Sequence, residues 1–142
     1  MIDVRSSSEY AKKLSKMRKN VYINGELVER NDPELVPSIN VLSKTFDLVE
    51  DPTFKDLITT SSHLTGETIN RFTHVNRSAD DLLKKQKMIR KACHLTGGCI
   101  QRCMGCDALN SLSFVTFEVD KLYGTEYHRD SRSIWTIFKK MI

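Results

Sequence analysis

Glycine and proline are scarce in this 142-residue chain, at six and three. Together they make up about 6% of it, roughly half of average usage, which argues against collagen-like, low-complexity or turn-dense all-β chains and leans helical. Long apolar runs are also missing. No stretch approaches the ~20 residues that span a bilayer, and Met1-Ile2-Asp3-Val4-Arg5-Ser6 lacks the apolar core of a signal peptide. A cytoplasmic protein with no membrane partner is the expectation. Charge of one sign is not in large excess, since 22 Lys+Arg against 18 Asp+Glu leave +4. With no aromatics interleaved in its basic run Lys84, Lys85, Lys87, Arg90 and Lys91, the chain reads as a solvated helix face and not a nucleic-acid binder. Phosphate-cradling loops and nucleophile elbows are absent as well. At this length a single core without staples is feasible.

What is present is helical patterning. Ser6 with Glu9 can form a capping box before Tyr10, Leu14 and Met17, predicting a helix over about 7–18. Asn24-Gly25 lies between Val21-Tyr22-Ile23 and Glu26-Leu27-Val28, the strongest short hairpin signal. Ile39, Leu42, Phe46 and Val49 predict a second helix capped by Ser38 and stopped by Asp51-Pro52, and Phe54, Leu57 and Ile58 a short turn after it. Thr59 to Asn76 reads as an extended loop or weak hairpin. Ser78 then caps a helix whose buried stripe is Leu82, Ile89, Ala92 and Cys93, ended or bent by Gly97-Gly98. A final pattern runs from about Cys99 to Leu122, closed by Tyr123-Gly124.

All four cysteines, Cys93, Cys99, Cys103 and Cys106, fall within one short segment. In a reducing compartment such clustering leaves three readings open: a metal site, reactive thiols, or burial as small hydrophobes. On a helix, Cys99 and Cys103 would share one face about 5–6 Å apart, with Cys106 further along it. Such thiols suit an iron–sulfur cluster or tetrahedral zinc, for which this segment alone supplies too few ligands. Gly97, Gly98 and Gly105 would allow close approach of a bulky centre, and Arg102 would offset thiolate charge. Cys99 to Cys106 also reads C-x3-C-x2-C, but Gly105 stands where radical S-adenosylmethionine loops carry an aromatic, and the chain is too short for their barrel. His63, His74, His94 and His128 each read as surface or hydrogen-bonded residues.

The longer text carries a resemblance. Pro37-Ser38-Ile39-Asn40, Asp51-Pro52, Thr68-Ile69-Asn70-Arg71-Phe72, Asp80-Asp81-Leu82, Gln101-Arg102-Cys103-Met104-Gly105 with Asp107-Ala108-Leu109-Asn110, and Tyr123-Gly124-Thr125-Glu126-Tyr127-His128 follow in order. Together they resemble the 4-hydroxybutyryl-CoA dehydratase/vinylacetyl-CoA isomerase branch of the 4-hydroxyphenylacetate 3-hydroxylase flavoprotein family. The resemblance implies a mainly α chain, the helical N-terminal domain of an acyl-CoA-dehydrogenase-like fold, with a small β-hairpin near 21–28. It implies a homo-oligomeric enzyme with FAD and a 4Fe-4S cluster acting on an acyl-CoA in 4-hydroxybutyrate fermentation, Cys99 and Cys103 being two of the cluster ligands. A His and a Cys from later in such chains complete that set. Cys106 departs from the pattern and receives no role. Family members are also far longer, so the flavin site, most of the CoA site and the distal ligands would lie in a missing C-terminal portion. That expectation divides the chain into residues 1–128, which resemble the family, and a divergent tail, 129–142, as a truncated, frameshifted or split gene would give. The alternatives are a fragment of a flavin-dependent hydroxylase, or a non-enzymatic helical module that binds a metal or a partner.

Overall fold

The computed structural model describes residues 6–141, with side chains through Trp135. It is mainly α with two small hairpins, as the sequence patterning and the resemblance led us to expect. Helix α1, Ser7–Ser15, starts at the expected capping box: Ser6 Oγ accepts from the Glu9 N–H, and the Glu9 carboxylate accepts from the Ser6 N–H. None of its residues is buried, and its main anchor is Tyr10, stacked on Phe46 with ring centres 5.1 Å apart. Strands β1, Val21–Ile23, and β2, Glu26–Val28, pair antiparallel with Ile23 opposite Glu26. Asn24 and Gly25 both have positive φ (51° and 88°), which only short polar residues and glycine adopt readily, hence the turn.

Helix α2, Val36–Asp47, corrects one expectation. Ser38 is no cap but lies inside the first turn, because Pro37, pre-set for a helix start, lets the helix begin earlier, at Leu35. Helix α3, Lys55–Ile58, follows, then a second hairpin, β3, Thr59–Ser61, and β4, Thr68–Asn70. A 3-10 turn, Arg71–Thr73, leads toward α4, Ala79–Thr96, which Ser78 caps through the Asp81 N–H and Gly97 ends in a left-handed conformation (φ 74°). The inward face of α4 is Lys85, Met88 and Ala92, with Ile89 and Cys93 at its flank. Leu82 is exposed, contrary to the predicted stripe. Helix α5, Arg102–Tyr123, ends at Gly124 (φ 67°), and α6 is Tyr127–Met141. The boundary expected after residue 128 falls inside α6. Ile134 is exposed and Trp135 is buried, while the side chains of Ile137 and Phe138 lie outside those described.

The core gathers Leu48, Val49, Phe54, Ile58, Phe72, Met88, Ala92, Ile100 and Cys106. Arg71, also buried, donates to the carbonyls of Leu57 (2.6 Å) and Thr59 (2.8 Å), serving the end of α3. A second cluster, Ile69, Leu109 and Trp135, holds α6 to the 3-10 turn, and the indole N–H donates to Thr73 O at 2.8 Å. Among the described residues, no helix is long and apolar enough to cross a membrane.

Candidate functional site: the cysteine loop

The four cysteines separate into two pairs. Cys93 and Cys106 belong to the core, Cys106 fully buried. Cys99 is exposed and Cys103 half-buried, and their thiols lie beside one another. The expected helical face is not what joins them. Cys99 precedes α5, and the link is a loop in which Ile100 is buried and Gln101 takes a left-handed φ of 58°. That turn folds the chain back, so the Gln101 N–H donates to Cys99 Sγ at 3.4 Å and the Arg102 N–H to Ile100 O at 2.7 Å. Burial pushes the Cys103 thiol up, as does a neighbouring Cys99 thiolate, while the N–H groups of Met104 and Cys103 itself, at the helix start, pull it down. A cation in place of the protons would remove the mutual repulsion.

Arg102 acts on the Cys106 side of the cysteine cluster, where a Cys106 thiolate would favour its charge. Its guanidinium sits between the rings of Phe46 and Phe72, at 4.3 and 4.5 Å, and donates to Thr45 Oγ1 at 2.9 Å. Burial lowers its proton affinity, and two aromatic faces in place of water keep the charge stabilised. Gly97 and Gly98 are not crowded, since a Cβ at either would meet nothing.

Beneath the loop lies a polar strut that sequence reading missed. Lys85, expected on the solvated face, is buried, and its Nζ donates to His74 O at 2.6 Å beside the Cys106 thiol. Burial raises the Cys106 thiol and Lys85 opposes it. Asn110 also donates to His74 O (3.3 Å), donates to Cys106 O (2.8 Å), and accepts from the Asn76 N–H (2.7 Å). A lysine within an alternating basic run gives no periodic signal of burial. The other histidines divide: His94 is exposed, His74 is buried, His63 meets His74 edge-on, and His128 faces Phe117.

Among the described residues no group of three or more His, Cys, Asp or Glu converges to hold a metal ion. Cys99 and Cys103 are thus two adjacent thiols outside any such group. Two thiols are half the number of ligands that a 4Fe-4S cluster takes.

The family described as 4-hydroxyphenylacetate 3-hydroxylase N terminal matches residues 6–141. The 4-hydroxybutyryl-CoA dehydratase/vinylacetyl-CoA-Delta-isomerase of Clostridium aminobutyricum is 43% identical over 127 residues, covering 88% of this chain and 26% of that protein. Among solved structures, an oxygen-tolerant archaeal 4-hydroxybutyryl-CoA dehydratase from N. maritimus superposes with a TM-score of 0.89 at 39% identity, over 96% of this chain and 27% of that one. The chain thus spans about a quarter of the length of each relative.

Proposed function

We propose, from the premise that this chain belongs to the 4-hydroxyphenylacetate 3-hydroxylase N-terminal family, that it is the N-terminal helical portion of a 4-hydroxybutyryl-CoA dehydratase/vinylacetyl-CoA isomerase-like enzyme. Cys99 and Cys103 would be its contribution to a 4Fe-4S cluster. The observation that carries the reading is the pairing of these two thiols across a left-handed turn at the start of α5, in a fold shared with a solved dehydratase. Bound there, a 4Fe-4S cluster would supply Lewis acidity toward the hydroxyl of an acyl-CoA substrate. This chain's own residues have simpler tasks. The N–H groups of Met104 and Cys103 stabilise the Cys103 thiolate, the Gln101 N–H orients Cys99, and the Arg102 clamp between two rings fixes the first turn of α5. FAD, the acyl-CoA contacts and the remaining ligands would come from a C-terminal portion, within the same polypeptide or in a partner of a cytoplasmic oligomer. A quarter of the relatives' length supports this division.

The reading predicts that the 142-residue chain alone does not dehydrate 4-hydroxybutyryl-CoA. Its direct test is anaerobic reconstitution with iron and sulfide, read by visible spectrum and iron content, on the chain and on Cys99→Ser/Cys103→Ser. Iron retained by the chain once the C-terminal portion of a relative is added, and lost when the chain carries both substitutions, is the expected result. Equal iron on both, or none on either even after the C-terminal portion of a relative is added, would sink the cluster assignment and favour a non-enzymatic helical module. The hydroxylase alternative would instead show as flavin-dependent oxygenation, without iron, in the same reconstituted complex.

A further inference from the structure

The four thiols differ sharply in what can reach them. Cys106 is 1% exposed and Cys93 packs against the core, so neither offers its sulfur to a molecule in solution. Cys99 is exposed. It stands on the loop between α4 and α5, directly after Gly97 and Gly98, where the surrounding space is open. Its neighbour Cys103 is half-buried and belongs to the first turn of α5. Buried Ile100 anchors the loop between them, and the Gln101 N–H holds Cys99 Sγ at the turn. One thiol is therefore open and carried by loop backbone, while the other is shielded and carried by a helix. That asymmetry is what a pair of attacking and resolving thiols requires.

We propose that the metal-free pair is a reversible dithiol switch for low-molecular-weight disulfides, in which Cys99 attacks and Cys103 resolves. First the Cys99 thiolate, its proton given to solvent, attacks one sulfur of a small disulfide RSSR. A bond forms between Cys99 Sγ and that sulfur, the S–S bond of RSSR breaks, and the departing thiolate takes up a proton as RSH. The Cys103 thiolate then attacks Cys99 Sγ, the bond from Cys99 to SR breaks, and a second RSH leaves. The protein loses two electrons and two protons, and RSSR gains both. The new bond brings the sulfurs to about 2 Å, and the loop that carries Cys99 is the side that adjusts. Excess RSH reverses both steps, as befits the transient disulfides of a reducing compartment. While the bond stands, neither sulfur is a thiolate able to ligate a metal, so oxidation and metal loading exclude each other at this pair. The switch needs only two adjacent thiols and stands independently of the cluster assignment.

The experiment treats the reduced, metal-free 142-residue chain with oxidised glutathione under anaerobic conditions, blocks the remaining thiols with an alkylating agent, and reads intact mass and fragmented peptides. Two of the four thiols should be lost, with no glutathione retained, a Cys99–Cys103 cross-link in the peptides, and all four thiols recovered in excess reduced glutathione. Cys103→Ser should keep one glutathione on Cys99, since nothing displaces it, and Cys99→Ser should stay unmodified. Glutathione retained on Cys99 of the unsubstituted chain, a cross-link that uses Cys93 or Cys106, or four thiols still free would each overturn the proposal. The unsubstituted chain decides between these outcomes by itself, so a variant that fails to fold leaves the test standing.

Discussion

At the scale of single residues, the protein's interior is held by polar groups as much as by apolar ones. His74 is 5% exposed, its Nε2 is 3.4 Å from Asp81 Oδ1, too long for a good hydrogen bond, and neither ring nitrogen has another partner among the described residues. Burial therefore depresses its proton affinity, and the nearby Asp81 only partly restores it. The unfolded chain, with an ordinary imidazole, takes up a proton at higher pH than the folded one. Stability from His74 is thus complete above the ordinary imidazole value of 6.5 and declines as pH falls below it. The urea midpoint should be lower at pH 5 than at pH 7.5, and His74→Gln should remove much of that difference. Asp81 acts in a lower window. Burial raises its carboxyl, but the Arg77 N–H and His74 together lower it further, so its contribution disappears only as pH falls through a value below 3.8. Phe72 works differently, being both core and one wall of the Arg102 clamp. Phe72→Ala should cost about 3–5 kcal/mol, measured by urea denaturation.

Among elements, caps separate the helices that carry the fold from one that does not. Ser78→Ala removes the acceptor for the Asp81 N–H at the start of α4, a helix that lines the core, and should cost about 1 kcal/mol. Gly97→Ala forces a Cβ into left-handed backbone and should cost about 1–2 kcal/mol. Ser6→Ala breaks an equally well-formed cap, yet α1 buries nothing, so the global urea midpoint should hold within about 0.5 kcal/mol while α1 frays. The same contrast explains what could be read from sequence. Asn24-Gly25 and Ser78 announce their elements because the backbone there demands those residue types. The Cys99–Cys103 pair was legible as a pair but not as a geometry, since a left-handed Gln101 leaves no mark on apolar periodicity. Lys85 was misplaced for the complementary reason: its burial depends on the His74 carbonyl, eleven positions away, which no local pattern encodes.

For the whole molecule, the unsettled surface is that of α5. Met104, Phe114, Val115, Leu122 and Tyr123 are each more than half exposed, a concentration of apolar side chains unusual for an isolated chain. Concentration-dependent association should appear in light scattering, and Val115→Glu/Leu122→Glu should restore a monomer without loss of helical signal. A monomer at every concentration would mean that this face tolerates water. The other large-scale feature is the 3-10 turn Arg71–Thr73, which packs against α3, α5 and α6 together. Its partner Trp135 lies 62 positions downstream. A ribosome therefore delivers the turn well before its cover. While the polypeptide is growing, Phe72 and the Thr73 carbonyl stay wet until α5 and α6 emerge, so the centre of this protein closes late, and a nascent chain stalled before residue 135 is the form most exposed to chaperones.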